Sequence, residues 1–170
     1  MDERELTIVW GAGLVRRTRK LKTALQQWHK SDCEKGFGDP NFETWLRSRL
    51  AEIGADIEGC KISPYSLVKA IEVNALGDPL ALKYAAVLEK KKVQSDTNCY
   101  VEEGMVYSHV WIKHMVVDYA NELAKEIAAK FREKGYSAEV WHDMEDSSEV
   151  TVCASIGFDK YVELQTKGGR

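Results

Sequence analysis

The sequence predicts an α+β protein: an N-terminal helical unit followed by a small antiparallel sheet of two hairpins packed on one long helix. Three observations carry that expectation. Apolar stripes at helical spacing, punctuated by proline and glycine, fill the chain as far as Lys92. Beyond Lys90-Lys91-Lys92-Val93-Gln94-Ser95-Asp96-Thr97-Asn98 much of the punctuation is that of strands. The charge also changes sign, with 16 Lys/Arg against 13 Asp/Glu in Met1 to Lys92 and 8 against 14 in Val93 to Arg170. Two units are therefore expected, a helical one over residues 1–93 and an α+β one over residues 94–170, joined by the lysine run and the polar residues after it as an accessible linker.

Element by element, Glu5 to Trp10 reads as a short strand or an apolar arm, ended by Gly11-Ala12-Gly13. Leu14, Leu21, Leu25 and Trp28 then mark one face of a helix over residues 14–30. Asp39-Pro40 suits an N-cap followed by proline at the first helical position. Phe42, Leu46, Leu50 and Ile53 form the stripe of that second helix, with Gly54 placed to close it. Ser63-Pro64 and Asp78-Pro79 repeat the start signal. Leu67, Val68, Ile71 and Ala75 line one of the helices they begin, and Leu80, Tyr84, Val87 and Leu88 line the other. Cys99 to Tyr107 reads as two short strands around a glycine turn, and Val106 to Ile112 fits either a strand or extra helical turns. Val116, Ala120, Leu123, Ile127 and Phe131 give the cleanest helical stripe, stopped by Gly135. Ser137 to His142 and Val150 to Ile156 read as strands around an acidic turn, and Lys160 to Gln165 as a further strand.

Composition bounds the class. At 44% hydrophobic and 30% charged residues the chain is that of an ordinary globular protein, and a net charge of −3 demands neither a basic nor an acidic partner. No apolar run approaches the roughly 18 residues of a membrane span. The charged opening and the short run ending at Trp10 do not make a signal peptide. Cys33, Cys60, Cys99 and Cys153 show no metal-ligand spacing and are expected to be reduced, so a cytoplasmic protein without metal or cofactor is the expectation.

Several patterns evoke chemistry. Gly11-Ala12-Gly13 followed by Asp32 resembles part of a dinucleotide fingerprint, but Arg16 stands where the third glycine is needed for close packing. Arg16, Arg17, Arg19, Lys20 and Lys22 line the first helix beside Trp28, a set able to neutralise phosphates and stack on a base. Pro64 to Lys92 has helix-turn-helix length, yet its second helix opens with Asp78, Pro79, Leu80 and Ala81 where base contacts would be made. Asp143, Glu145, Asp146 and Glu149 crowd one turn without the geometry of a calcium loop. A nucleophile pair drawn from Cys99, Cys153, His109, His114 and His142 has no spacing to select it.

The leading expectation is a non-enzymatic assembly or adaptor protein that acts within a larger complex. It would meet a protein partner or a copy of itself through Trp141, Val140 and Val152 on the second unit's sheet. The alternatives are nucleic-acid binding through the basic helix and a small hydrolase with a cysteine and histidine centre.

Overall fold

A computed structural model describes residues 19–168. The chain divides into two compact units. One gathers the described residues up to Leu76 with Val101–Gly104 and the chain from Val162 on; the other comprises Gly77–Tyr100 and Met105–Tyr161. The helix that begins at Pro79 thus belongs to the same compact unit as most of the sheet.

In the first unit, α1 (Arg19–Glu34), α2 (Phe42–Asp56) and α3 (Pro64–Leu76) bury Leu21, Leu25, Leu46, Leu50, Leu67 and Ile71. The cap of α2 is Asn41, whose Oδ1 accepts from the N–H of Glu43 at 3.0 Å and of Thr44 at 3.3 Å, two residues later than Asp39. Asp39 instead accepts the N–H of Asn41 at 2.6 Å. Gly54 does not end this helix. It lies buried inside it, between Ile53 and Ile57, which are 4% and 0% exposed. Burial of that continuing stripe outweighs the cost of about 1 kcal/mol for a helical glycine.

Trp45 centres this unit's core, edge-on to Trp28 at 5.2 Å and stacked on Phe42 at 5.7 Å. Its indole N–H donates to Asp32 Oδ2 at 2.9 Å, and Arg49 donates to the same oxygen from Nε at 3.1 Å and from Nη2. Burial alone would raise the Asp32 pKa, but the Trp45 and Arg49 hydrogen bonds and the Arg49 charge hold it below the ordinary carboxylate value. Its stabilisation is therefore complete above pH ~4, the unfolded carboxylate value, and is lost as pH falls through the lowered folded value. Asp32→Ala is expected to cost about 2 kcal/mol at pH 7 and much less at pH 3, read from urea unfolding at the two pH values.

Along the chain, α4 (Pro79–Lys90) leads into β1 (Gln94–Glu102) and β2 (Met105–Lys113), followed by α5 (Val117–Glu133), β3 (Ser137–His142), β4 (Glu149–Gly157) and α6 (Phe158–Gly168), and all but the end of β1 and the later part of α6 belong to the second unit. The four strands form one antiparallel sheet in the order β1-β2-β4-β3. Glu103 and Gly104, at φ 50° and 75°, form the two-residue turn between β1 and β2, a geometry matching the twist of the strands it joins. Val106 to Ile112 is strand, its side chains alternating between buried and half-buried.

One sheet face is core. Val106, Val110 and Ile112 of β2 and Val150, Val152, Ala154 and Ile156 of β4 are at most 3% exposed, and α5 lays Leu123, Ala124, Ile127, Ala128 and Phe131 over them. Gly135 ends α5 as expected, at φ 94°, with Tyr136 N–H returning to the Phe131 carbonyl at 3.1 Å.

Three expectations change here. The lysine run is a closed helix stop, with Lys92 at φ 59° and Val93 N–H bonded to the Leu88 carbonyl at 3.0 Å. Val93 is buried and β1 follows at once, so no linker separates α4 from the sheet. The expected short strands around Gly104 are nine residues each. Lys160 to Gln165 is part of helix α6, because Phe158 and Tyr161 are both buried at a spacing of three, which a strand would put on opposite faces.

Candidate functional site

The second sheet face carries the other half of each alternating strand. From the pairing register, three rows cross it: Tyr107, Ser155 and Ser137; His109, Cys153 and Glu139; Trp111, Thr151 and Trp141. Every one of these residues is half-buried or exposed, and Trp141 is 61% exposed. The wall on β1 and β2 is aromatic: Tyr100 stacks on Tyr107 at 5.0 Å, and His109 meets Tyr100 edge-on at 5.9 Å. On the β3 wall the Trp141 indole N–H donates to Glu139 Oε2 at 3.1 Å. Cys153 and Ser155 of β4 form the floor of the cavity between them, about 380 Å³ in volume.

The electrostatics of this groove are simple. Burial lowers the pKa of His109, and burial together with the Glu139 charge raises that of Cys153. Both shifts favour the uncharged form, imidazole for His109 and thiol for Cys153. A nucleophilic cysteine needs the opposite arrangement, a lowered thiol pKa beside a proton acceptor. The juxtaposition of Cys153 and His109 is thus chemically quiet.

The other cysteine and histidine candidates are not paired as nucleophile and base either. Cys99 is pushed up by burial. His114 accepts the Val116 N–H at 3.0 Å through Nδ1, and His142 lies exposed at the end of β3. Cys33 and His29, a pair not among the expected candidates, come within 3.3 Å on α1. Both also contact the Asp39 carbonyl, His29 Nε2 at 2.5 Å and Cys33 Sγ at 3.3 Å. A carbonyl oxygen only accepts, so Nε2 carries a proton there and is no base for the thiol.

Of the basic-helix residues, Arg16 and Arg17 lie outside the described residues, as does Gly11-Ala12-Gly13. Arg19 begins α1, and Lys20 and Lys22 are exposed. Trp28 is half-buried, packed on Trp45 with the Arg49 guanidinium 5.5 Å from its ring centre. Asp32 is committed to Trp45 and Arg49. Within the acidic turn, Asp143 and Asp146 accept backbone N–H groups and Lys113 bridges Asp146 at 3.7 Å and Glu149 at 3.4 Å. Among the described residues no group of three or more His, Cys, Asp or Glu side chains is placed to hold a metal ion.

The expected interface trio separates. Val152 is fully buried and Val140, opposite it in the register, lies half-buried on the same α5-covered face. Trp141 alone faces the groove, because neighbouring residues of a strand point to opposite faces. Tyr100, Tyr107, His109 and Glu139 were not expected here. The period-2 alternation of Met105 to Lys113 was the signal that could have found the two on β2.

The class defined is thus an α+β protein whose antiparallel sheet has one face under a helix and one face forming an aromatic groove. Comparison with known proteins gives no family, no relative and no solved structure that matches the chain. None of the helices among the described residues is long and apolar enough to cross a membrane.

Proposed function

We propose that this chain is a non-enzymatic binding protein of the assembly or adaptor kind, which meets its partner on the uncovered face of the sheet. The observation that carries the reading is the aromatic groove with Trp141 exposed at its rim. Exposed tryptophan beside tyrosine is the composition of interface hot spots. The sheet edges support docking on the face over addition of a strand. On β1 the Thr97 N–H is taken by its neighbour Asp96 at 2.8 Å, and on β3 the Ala138 carbonyl is held by Arg132 at 2.7 Å and 3.1 Å. Each contact removes one backbone group from pairing with an added strand.

The quiet cysteine and histidine pairs weigh against a hydrolase. Nucleic-acid binding draws on Lys20 and Lys22, but Trp28 is engaged in the core of the first unit and the groove lining contains no lysine or arginine.

Self-association is the direct test. Sedimentation is expected to show concentration-dependent association that Trp141→Ala weakens about thirtyfold, the equivalent of ~2 kcal/mol for a central tryptophan. The unfolding midpoint should move little, since an exposed side chain contributes little to the fold. A strict monomer at high concentration removes self-association through this face. Unchanged association in Trp141→Ala removes the groove from the interface.

A further inference from the structure

The uncovered face of the sheet is divided in two. One half carries rings, Tyr100 on β1 and Tyr107, His109 and Trp111 on β2. Next to them β4 presents the short side chains Ser155, Cys153 and Thr151, each opposite one of the three β2 rings in the register. The change from bulky to short falls between β2 and β4, which is also the midline of the four-stranded sheet. A face raised on one side of its midline and lowered on the other complements its own copy turned over about that line.

We infer that the occupant of this face is a second copy of the chain, packed sheet on sheet about a two-fold axis that runs along the strands between β2 and β4. The inference rests on the reading that the uncovered face is the docking surface, and it names what docks. Facing sheets keep their strands within about 30° of each other, so a two-fold axis between them runs either along the strands or across them. Along the strands, β2 of one copy lies over β4 of the other, and His109 meets the copy's Cys153, with Tyr107 over Ser155 and Trp111 over Thr151. Large side chains then meet small ones across the ~10 Å between sheets. β3 lies over the copy's β1, which covers Trp141, 61% exposed in the single chain. Across the strands, every strand would lie over itself. That arrangement sets Glu139 of the middle row against its own copy and Tyr107 against Trp111, opposing like charges and crowding ring on ring.

The area is sufficient. β1, β2 and β4 have nine residues each and β3 has six, so at about 4.8 Å per strand and 3.3 Å per residue the face covers roughly 530 Å² in projection. Specific interfaces take about 600–1,000 Å² of accessible surface from each partner, which side chains standing in relief on this footprint supply.

The test exchanges large for small across the axis. Cys153→Phe sets a ring against the copy's His109 at both equivalent places and is expected to weaken self-association at least tenfold by sedimentation. His109→Ala opens room at those places. Mixed in equal amounts, the two variant chains should form a mixed dimer of near wild-type affinity, resolved by its mass in native mass spectrometry. In it the new ring meets the vacated position at one place, and the native pair forms at the other. Thr151→Phe with Trp111→Ala repeats the exchange one row away, so that a folding defect in one variant leaves the other pair to decide. Wild-type self-association in Cys153→Phe, or no mixed dimer from variants with wild-type circular dichroism, overturns the inference. A wild-type chain that stays monomeric at high concentration overturns it too and gives the face to a different partner. If Trp141→Ala loosens self-association while Cys153→Phe does not, the docking surface stands and the two-fold along the strands falls.

Discussion

Phe131→Ala is expected to destabilise the protein by ~3–5 kcal/mol, the usual range for truncating a fully buried phenylalanine. Phe131 is 0% exposed at the end of α5, edge-on to Tyr84 at 4.9 Å and tilted against Tyr136 at 5.1 Å. The cavity left by its ring cannot collapse readily, because Tyr84 is anchored on α4 and Tyr136 follows the glycine stop of α5. Phe131→Leu should recover about half of the loss, since most of the apolar volume returns while both ring contacts are missing. Urea unfolding with an unchanged slope would place the effect in the folded state. A loss below ~1 kcal/mol would mean that the α5 contact with the sheet is looser than the burial indicates.

Asp78→Ala is expected to cost ~3 kcal/mol or more, by a different route. Asp78 is 0% exposed and spans two levels of structure. Its Oδ1 caps α4 by accepting the Leu80 N–H at 3.0 Å, while Oδ2 accepts the Ser108 hydroxyl at 2.7 Å and the Tyr136 hydroxyl at 2.6 Å. Removing the carboxylate loses a cap worth ~1 kcal/mol and strands two buried hydroxyls at ~1–3 kcal/mol each. Asp78→Asn should be milder, since the amide oxygen can still cap the helix and the amide N–H groups can donate to the hydroxyls. Loss of a similar size in Asp78→Asn and Asp78→Ala would show that the charge, and not the bonding pattern, matters. Because Tyr136 touches both Asp78 and Phe131, the double substitution should fall short of the sum.

The same cluster sets an alkaline limit. Burial, followed by the charge of Asp78, pushes the Tyr136 pKa far above its ordinary value. Above pH ~10 the unfolded chain ionises this tyrosine and the folded one does not, so stability falls as pH rises. Tyr136→Phe should flatten that fall while lowering stability at pH 7.

Much of the order of elements was readable along the chain. Asp78-Pro79 and Gly135 act where they stand, because a cap or a left-handed stop is a local event governed by a few neighbouring residues. The stripe from Ala120 to Phe131 likewise announced a helix covering a sheet. Where local preference competed with packing, the pattern misled: Gly54 was overridden by burial of Ile53 and Ile57, and Phe158 with Tyr161 turned an apparent strand into a helix. The lysine run reads as a linker from its polarity, but hydrogen bonds from Lys92 and Val93 back into α4 make it a stop.

The candidate site shows the same division. Trp141 was legible as lying in a strand, and the structure leaves it 61% exposed on the face opposite α5. Its companions on that face were not legible as a set, since Tyr100, His109, Glu139 and Cys153 lie on four different strands. Only the register of β2, β4 and β3 sets His109, Cys153 and Glu139 in one row. By itself the sequence determined the α+β class, most of the helices and the cap at Asp78 and stop at Gly135, which depend on contacts a few residues apart. Which sheet face is covered, and hence which side chains form the groove, was decided by strand pairing across roughly forty residues of chain, an arrangement no local pattern encodes.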